Sequence, residues 1–335
     1  QPNESGMIKL NTNENPYPPA PGVERVLKEM DTDRFRLYPD PTADELVGSL
    51  ADYYGVGKDQ VFVGVGSDDV ISMCFLTFFN SDLPILFPDI TYSFYKVWAD
   101  LYRIPYECKK VDENFHIIKE DYYPENGGVI FPNPNAPTSI YEDLEFVEDI
   151  IRHNQDVIVI VDEAYIDFAG ESALSLLDKY DNLIITQTFS KARSMAGMRI
   201  GYAIASPLLI KYLNDAKYSF NSYTMNKTSL VYGAEAVKDK EYFAETTRKI
   251  VETRDWAEEE FKKLGFVFPK PSANFIFVSH PEYDAKELFE AMKAKGIYVR
   301  FWGSERIEQY LRVTIGTREE MEALFAFLRE YMMKC

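Results

Sequence analysis

Cysteine and histidine are scarce in this 335-residue sequence, which contains three of each. The cysteines show no paired spacing, which predicts free thiols in a reducing, cytoplasmic compartment; they are Cys74, Cys108 and Cys335. The histidines have no metal-ligand spacing and none stands beside a candidate nucleophile; they are His116, His153 and His280. A zinc site and a histidine-based catalytic triad are therefore poorly supported, and we expect no metal.

Positive charge and long apolar runs are also lacking. Lysine and arginine number 36 against 54 acidic residues, a net charge of −18, which argues against a nucleic-acid partner because phosphate backbones attract basic surfaces. No apolar run approaches the roughly 18 residues of a membrane span. The 46% hydrophobic and 27% charged residues describe a soluble globular protein. Its length predicts about two domains, because single cores stop growing near about 250–300 residues.

The middle of the chain alternates short apolar runs with helical patterns. We predict strands at 61–65, 84–87, 128–131, 157–161, 183–188 and 199–204. We predict helices between several of them, at 68–79, 92–101 and 141–154. The run Val-Ile-Val-Ile-Val at 157–161 has no polar alternation, which is typical of a strand buried on both faces of a mostly parallel sheet. The pattern predicts a large α/β domain with a doubly wound sheet over residues 30–245.

The two ends of the chain differ from this middle. The polar, proline-rich stretch at 10–19 cannot form a helix or a central strand, and a helical period follows at 22–30. We expect residues 1–29 to form an arm. Residues 246–335 mix helical patterns with predicted strands at 266–269, 273–278, 297–300 and 310–315. We predict a smaller α+β domain over 246–335, which the arm joins. Thr42 and Glu45 predict a capping box that opens a helix reaching residue 54.

Lys191 stands between two apolar runs and has hydroxyls and an arginine around it. A lysine amine can form an imine, while hydroxyls and a fixed guanidinium suit a phosphate. Thr188, Ser190 and Arg199 supply those groups in this stretch. The combination fits pyridoxal phosphate (PLP). A solvated Ser/Lys loop is the alternative that this stretch alone leaves open.

Polar residues follow other predicted strands, where doubly wound sheets bind their ligands. Asp162 follows the strand at 157–161 and suits a pyridinium nitrogen, with the Tyr165 phenol in reach of the cofactor's 3′-oxygen; a helix N-cap is the alternative. Gly66 and Ser67 open a helix whose free N–H groups form an anion site. Tyr92 follows the strand at 84–87 and suits either stacking on a flat ring or core packing.

Two further segments carry polar groups with open alternatives. The turn at 132–139 contains two Asn and three Pro, so it is either a plain turn or the source of an amide for the cofactor ring; we expect one X-Pro bond to be cis. Arg312 lies within an apolar strand. A buried arginine needs a partner, which implies an anionic ligand or a carboxylate.

Together these residues resemble the fold-type I, class I/II PLP-dependent aminotransferases over nearly the whole chain. The resemblance rests on seven segments in order, at 10–16 (L-N-T-N-E-N-P), 36–39, 90–92, 133–138, 162–165 (D-E-A-Y), 188–199 and 311–316 (L-R-V-T-I-G). The first and last favour the histidinol-phosphate branch. The resemblance implies amino transfer between L-histidinol phosphate and 2-oxoglutarate in histidine biosynthesis.

The resemblance also implies roles for single residues. Lys191 would bind PLP as an imine and shuttle a proton, Asp162 would hold the pyridinium, Tyr165 the 3′-oxygen, and Tyr92 would stack on the ring. The cofactor phosphate would be surrounded by Gly66, Ser67, Asp68, Thr188, Ser190 and Arg199. Tyr38 would reach the phosphate of a neighbouring subunit, which implies a homodimer with shared active sites.

The substrate pocket implied by the resemblance contains Arg312, Arg300, Tyr17 and Asn15. One position departs from the family, because Ala136 replaces the Asn that directly precedes the Pro; we expect Asn135 to substitute. The alternatives on the same scaffold are an aromatic or aspartate aminotransferase and an amino-alcohol-phosphate decarboxylase. A PLP-binding regulator is a third alternative, although such regulators carry an N-terminal DNA-binding domain and this chain is strongly acidic.

Overall fold

The computed structural model describes residues 6–334; residues 1–5 of the predicted arm and Cys335 lie outside the described residues. The strands are β1 (Ile8–Lys9), β2 (Val61–Gly64), β3 (Ile85–Pro88), β4 (Tyr106–Lys109), β5 (Gly128–Pro132), β6 (Val159–Asp162), β7 (Leu183–Thr188), β8 (Gly201–Ala205), β9 (Phe275–Val278), β10 (Ile297–Tyr298), β11 (Arg300–Phe301) and β12 (Leu311–Thr314). The helices are α1 (Pro21–Glu29), α2 (Asp44–Tyr54), α3 (Ser67–Phe78), α4 (Phe94–Tyr102), α5 (Leu144–Arg152), α6 (Pro207–Phe220), α7 (Lys227–Lys238), α8 (Lys240–Lys263), α9 (Ala285–Ala294) and α10 (Arg318–Lys334).

Seven strands form a central sheet in the order β2-β8-β7-β6-β5-β3-β4. Strands β4, β3, β5, β6 and β7 pair in parallel, whereas β8 is antiparallel to both β7 and β2. The mostly parallel sheet predicted from the sequence is confirmed. Because β8 runs the opposite way, its first residue lies at the same edge as the last residues of its neighbours. The segment before β8 therefore reaches that edge as well.

Each face of this sheet has its own apolar core. Successive residues of a strand point to opposite faces, so Val159 and Val161 pack with α1, α2, α5 and α7, while Ile160 packs with α3, α4 and α6. All four residues of β6 are buried. Burial on both faces explains why its sequence shows no polar alternation.

A second core lies around a three-stranded antiparallel sheet in the order β11-β12-β9. The first part of the N-terminal arm joins this part of the molecule, because β1 pairs in parallel with β10 and Leu10 is fully buried in the same cluster. The last part of the predicted arm, α1, packs instead in a core of the central sheet. Domain boundaries at residues 29/30 and 245/246 stay a prediction.

Three segments differ from the strands predicted by sequence. Strand β4 is absent from that prediction, because its residues are half-buried or exposed at the sheet edge and include Glu107 and Lys109. Residues 266–269 form only an isolated bridge, Val267 to Ser279. The strand predicted at 297–300 divides at Val299 into β10 and β11, which belong to different sheets.

The capping box predicted from Thr42 and Glu45 is wrong. Ala43 adopts a left-handed conformation (φ 51°) and helix α2 begins at Asp44. The Asp40 carboxylate accepts hydrogen bonds from the Thr42 and Asp44 amides at 3.0 and 2.8 Å. A carboxylate from outside the helix therefore does the capping, which sequence spacing within the helix cannot reveal.

The remaining composition-based expectations concern cysteine, metals and membranes. Cys74 is buried and Cys108 half-buried, and both are free. Within residues 6–334, no group of three or more His, Cys, Asp or Glu side chains is arranged to hold a metal ion. Across the same part of the chain, no helix has the length and apolar character needed to cross a membrane.

Candidate active site

One cavity of about 190 Å³ lies at the sheet edge where the parallel strands end. Residues following β2, β3, β5, β6 and β7 and preceding β8 converge there, as expected for a doubly wound sheet. The cavity is lined by Thr12, Glu14, Ser67, Asp68, Tyr92, Pro132, Ala136, Asp162, Ala164, Tyr165, Thr188, Ser190, Lys191, Ala196 and Arg199. The structure thus brings together residues that are up to 187 positions apart in the chain.

Lys191 lies on the loop between β7 and β8, and the N-terminal arm holds that loop in place. The Asn15 amide donates to the carbonyl oxygens of Lys191 and Ala192 at 3.2 and 3.1 Å. The Lys191 amine donates to the Thr12 carbonyl at 3.2 Å and lies 5.6 Å from the centre of the Tyr165 ring. The amine is therefore fixed inside the cavity by neutral contacts, and an incoming group can displace its single hydrogen bond.

Asp162 ends strand β6 and is 5% exposed. Its carboxylate accepts hydrogen bonds from the Tyr95 hydroxyl at 2.8 Å and the Ala164 amide at 3.2 Å. No cation of the described chain pairs with it. Burial raises the pKa of this carboxyl to about 6, although the Tyr95 and Ala164 hydrogen bonds favour the ionised form. A buried carboxylate with no counter-ion is suited to a cationic ligand such as a pyridinium.

Tyr165 and Tyr92 border the cavity through their rings and hydroxyls. The Asn13 amide donates to the Tyr165 hydroxyl oxygen at 2.9 Å, which leaves the phenolic hydrogen free to face the cavity. The Tyr92 hydroxyl donates to Asp68 at 2.7 Å. Burial, followed by the charge of Asp68, raises the pKa of Tyr92. Both phenols are therefore held by hydrogen bonds at the border of the cavity.

The start of α3 and the segment before β8 form a phosphate-sized cradle. Gly66 precedes α3 with φ +86°, and a Cβ there would lie 2.4 Å from Arg199 Nη2. A Cβ on Gly201 would lie 2.2 Å from the Ser67 amide nitrogen. Gly66 therefore lets the Arg199 guanidinium approach the helix N-terminus, and Gly201 lets the start of β8 pack against the same backbone. Free N–H groups at that helix N-terminus favour an anion.

Hydroxyl and guanidinium donors surround the same cradle. Arg199 Nη1 donates to Ser190 Oγ at 3.3 Å, and the Thr188 hydroxyl accepts from the Ser190 amide at 3.1 Å. The Asp68 carboxylate lies 3.6 Å from Arg199 Nη2 and receives the Tyr92 hydrogen bond. Asp68 therefore orients two neighbouring side chains, and its backbone amide is the group that suits an anion.

Arg312 and Arg300 lie on adjacent strands beside the arm. Arg312 Nη2 donates to the Asn11 carbonyl at 2.9 Å, while its buried Nε has no partner. Burial, with a smaller contribution from Arg300, lowers the pKa of the Arg312 guanidinium. No carboxylate of the described chain forms an ion pair with Arg312. The carboxylate partner is therefore absent from the described chain, and the anionic ligand stays a prediction.

Several predicted site residues do not line the cavity. Asn135 is buried in its turn, where its amide donates to the Ile90 carbonyl and Thr138 hydroxyl at 2.9 and 3.1 Å; Ala136 borders the cavity instead. One amide hydrogen is thereby used within the turn and the other by the segment after β3, and Asn135 does not line the cavity. That turn contains two cis peptide bonds, before Pro134 and Pro137, rather than the one predicted.

The predicted substrate residues of the arm have other contacts. Asn15 binds the backbone of the Lys191 loop, and Tyr17 lies with its ring 5.6 Å from the Lys249 amine. Tyr38 is 82% exposed and stacks on Tyr223 with ring centres 4.7 Å apart. In a single chain, Tyr38 therefore has no contact with the cavity.

Some residues of the site were missed in the sequence. Thr12 and Glu14 fall within the quoted L-N-T-N-E-N-P segment but received no role. Tyr95 follows Tyr92 by one helical turn, a spacing that gives a usable signal for a shared face. Gly201 pairs with Gly64 across β2 and β8; only that register reveals its place in the cradle.

Comparison with known proteins agrees with this geometry. The family model described as aminotransferase class I and II matches residues 5–328. The chain belongs to this family. It is 47% identical over 334 residues to a protein named histidinol-phosphate aminotransferase from Clostridium botulinum (strain Langeland / NCTC 10281 / Type F), with 100% of this chain and 94% of the relative covered. The resemblance inferred from the motifs is confirmed.

Solved structures of other aminotransferases share the fold. The histidinol-phosphate aminotransferase from Clostridium acetobutylicum matches with a TM-score of 0.90 at 22% identity, covering 98% of this chain and 100% of that one. The Sinorhizobium meliloti enzyme, whose structure is a complex with pyridoxal-5′-phosphate, matches with a TM-score of 0.84 at 23% identity, covering 96% and 91%. At these identities the likeness establishes the fold.

Proposed function

We propose that this aminotransferase moves an amino group between L-histidinol phosphate and 2-oxoglutarate, giving imidazole-acetol phosphate and L-glutamate, with PLP as cofactor. The observation that carries the proposal is the arrangement of one cavity. It places a lysine amine, a buried carboxylate without a counter-ion and a glycine-bordered anion cradle side by side. The 47% identical relative named histidinol-phosphate aminotransferase supports the choice of substrate.

The residues of the cavity fit PLP group by group. The ring nitrogen suits Asp162, the 3′-oxygen suits the free phenolic hydrogen of Tyr165, and a ring face suits Tyr92. The phosphate suits Ser67, Thr188, Ser190, Arg199 and the first amides of α3. When bound, PLP supplies an electron sink for the negative charge that develops at the substrate Cα.

Three side chains of this protein then do the chemical work. Lys191 holds the cofactor through Nζ and, once released, carries a proton to and from the substrate. Asp162 keeps a proton on the ring nitrogen, because its buried negative charge is compensated only when a cation lies against it. Tyr95 and the Ala164 amide hold the Asp162 carboxylate in place.

Arg312 is suited to bind the anionic end of both substrates. Its planar guanidinium donates in the same bidentate way to a carboxylate or a phosphate. Arg312 has no carboxylate partner in the described chain, and only its Nη2 donates to a protein acceptor, the Asn11 carbonyl, so its other Nη hydrogens are left for a ligand. One arginine therefore serves both the carboxylate of glutamate and the phosphate of histidinol phosphate, which has no carboxylate.

We also propose that the working unit is a cytoplasmic homodimer in which Tyr38 reaches the phosphate of the partner's cofactor. Tyr38 and its neighbours Phe35 and Leu37 are exposed, as are Phe220 and Tyr223 on the adjoining segment. Exposed apolar side chains grouped in this way are typical of a surface that another chain covers. Light scattering at micromolar concentration should give twice the mass of one chain.

The proposed reaction is tested with the PLP-loaded protein and a substrate panel. Amino transfer from L-glutamate is measured to imidazole-acetol phosphate, to aromatic oxo acids and to oxaloacetate. We expect the highest kcat/KM with imidazole-acetol phosphate. A preference for an aromatic oxo acid or oxaloacetate would identify an aromatic or aspartate aminotransferase. Release of carbon dioxide from a carboxylated amino-alcohol phosphate would identify the decarboxylase.

The cofactor link has its own test. Borohydride reduction of the holoenzyme followed by peptide mapping should place a pyridoxyl group on Lys191. Lys191→Ala should still bind PLP non-covalently but lose turnover by several orders of magnitude. A pyridoxyl label on another lysine would contradict the assignment.

A further inference from the structure

Glu14 places a carboxylate in a cavity whose other side chains are mainly suited to anions. It lines the cavity with Thr12 and Lys191. Its oxygens accept hydrogen bonds from Lys9 at 2.8 Å and from Thr12 Oγ1 at 2.9 Å. Burial alone would raise the pKa of the Glu14 carboxyl, but the bonds from Lys9 and Thr12 and the charge of Lys191 hold that pKa below its ordinary value. Glu14 is therefore ionised at neutral pH.

Glu14 differs from the other two carboxylates that line the cavity. Asp162 is held by Tyr95 and the Ala164 amide, and Asp68 is engaged by Tyr92 and Arg199. The cofactor fit assigns a role to each of those two carboxylates but none to Glu14. The side chain of Glu14 is 43% exposed and keeps acceptor capacity beyond its bonds to Lys9 and Thr12.

The backbone next to Glu14 contacts both side chains that the proposed function assigns to the substrate. The Thr12 carbonyl accepts from the Lys191 amine, and the carbonyl of the preceding Asn11 accepts from Arg312. Lys191 marks the position of the substrate amine, and Arg312 the position of its anionic group. The Glu14 carboxylate, two residues after Thr12 in the N-terminal arm, is therefore available to a third group of the substrate.

We propose that Glu14 accepts a hydrogen bond from an imidazole N–H of the substrate and so selects imidazole-bearing amino-alcohol phosphates over those with an apolar ring. The inference rests on the proposed function. A site built to hydrogen-bond a polar substrate group discriminates strongly against an analogue that lacks it, because the protein group is then left without its partner. An ionised carboxylate also favours the imidazolium form of the ring, whose ordinary pKa is about 6.5.

The test compares histidinol phosphate with phenylalaninol phosphate, which has the same backbone and an apolar ring. The PLP-loaded parent and Glu14→Gln are assayed with each compound and 2-oxoglutarate. We expect Glu14→Gln to lower kcat/KM for histidinol phosphate by about 10- to 100-fold. For phenylalaninol phosphate we expect kcat/KM to change by less than about 5-fold. The ratio of kcat/KM for histidinol phosphate to that for phenylalaninol phosphate should therefore fall sharply.

Lys9→Met is the matched control, because it removes the ion-pair partner of Glu14 without changing a residue that lines the cavity. An exposed pair of this kind contributes little, so both constants should change by less than about 5-fold. An equal loss of kcat/KM for both compounds in Glu14→Gln would overturn the inference, and Glu14 would then be a structural residue of the arm. Loss of selectivity in Lys9→Met that matches Glu14→Gln would overturn it as well.

The parent protein separates this inference from the proposed function. A parent that transfers amino groups from glutamate but is inactive with histidinol phosphate would overturn the proposed function. A parent active on histidinol phosphate whose preference survives Glu14→Gln would overturn only the role of Glu14.

Discussion

Arg300 and Arg312 lie directly opposite each other on β11 and β12, and each guanidinium lies 5.2 Å from the centre of the Trp302 ring. Two like charges in register repel, and Arg312 is half-buried with its Nε covered. The Trp302 face offsets part of this cost through cation–π contact. No carboxylate in residues 6–334 pairs with Arg312, which is the reason that we propose an anionic ligand for it.

The first prediction concerns these two arginines. Arg312→Met removes the shared anion partner and should lower kcat/KM by about 30- to 4000-fold, for glutamate and for histidinol phosphate alike. Arg300→Ala, at an exposed position, should reduce the reaction of the phosphorylated substrate more than that of glutamate. Each half-reaction is followed separately by the absorbance of the cofactor. Unchanged half-reactions in Arg312→Met would make Arg312 a structural residue of β12.

The second prediction concerns the protonation of Asp162 in cofactor-free protein. Its pKa is about 6 when folded, against an ordinary value of 3.8. Between these values the folded state binds more protons than the unfolded state, so the contribution of Asp162 to stability falls as pH rises and is least favourable above pH 6. The non-titrating Asp162→Asn should gain about 3 kcal/mol of unfolding free energy relative to the parent between pH 4 and pH 7.

Urea unfolding of both apoproteins at several pH values measures that difference. With PLP bound, Asp162→Asn should instead be inferior to the parent. It should lose most of its turnover, since an amide cannot hold the ring nitrogen protonated. A stability difference that stays constant with pH would show that Asp162 is already ionised in the empty cavity.

The third prediction concerns the glycine before α3. Gly66→Ala places a methyl group 2.4 Å from Arg199 Nη2 and forces φ +86° on a residue with a side chain. We expect PLP to bind about 10- to 100-fold more weakly, because Arg199 must leave the cradle. Gly55→Ala is the control, since Gly55 also has a positive φ of 70° but nothing within 4 Å of the added Cβ. It should cost about 1 kcal/mol of stability and leave PLP affinity unchanged.

The fourth prediction concerns Tyr38. If Tyr38 acts across a dimer, Tyr38→Ala and Lys191→Ala are defective in different halves of one site. Mixing the two inactive variants should create heterodimers that contain one intact site, with up to about half of the parent activity per heterodimer. A heterodimer demonstrated by differential tagging that shows no activity would contradict a shared site.

Much of the fold follows from local sequence patterns. The unbroken apolar run before Asp162 predicted a strand buried on both faces, and β6 is buried throughout. The position of polar residues directly after such runs then predicted a common site, because parallel strands end at one edge. Lys191, Asp162 and Tyr165 were placed together on this basis, and the structure has all three around one cavity.

Other features depend on which partners the folded chain supplies. Asp40 caps α2 from outside the helix, Asn135 donates to the Ile90 carbonyl, and Asn15 holds the Lys191 loop. None of these hydrogen bonds was predicted, because a polar side chain of this kind can bond to several backbone groups and the fold selects among them.

The sequence by itself determined the alternation of strands and helices, the family and the residue types of the site, since periodicity and short motifs are local properties. Only the tertiary structure decided which hydrogen-bonding and charged groups remain without a partner. It left Arg312 without a carboxylate and Asp162 without a cation, and it brought Glu14 of the arm to the Lys191 amine. The physical reason is that a side chain's availability depends on every neighbour that could satisfy its hydrogen bonds or charge, and those neighbours are chosen by the fold.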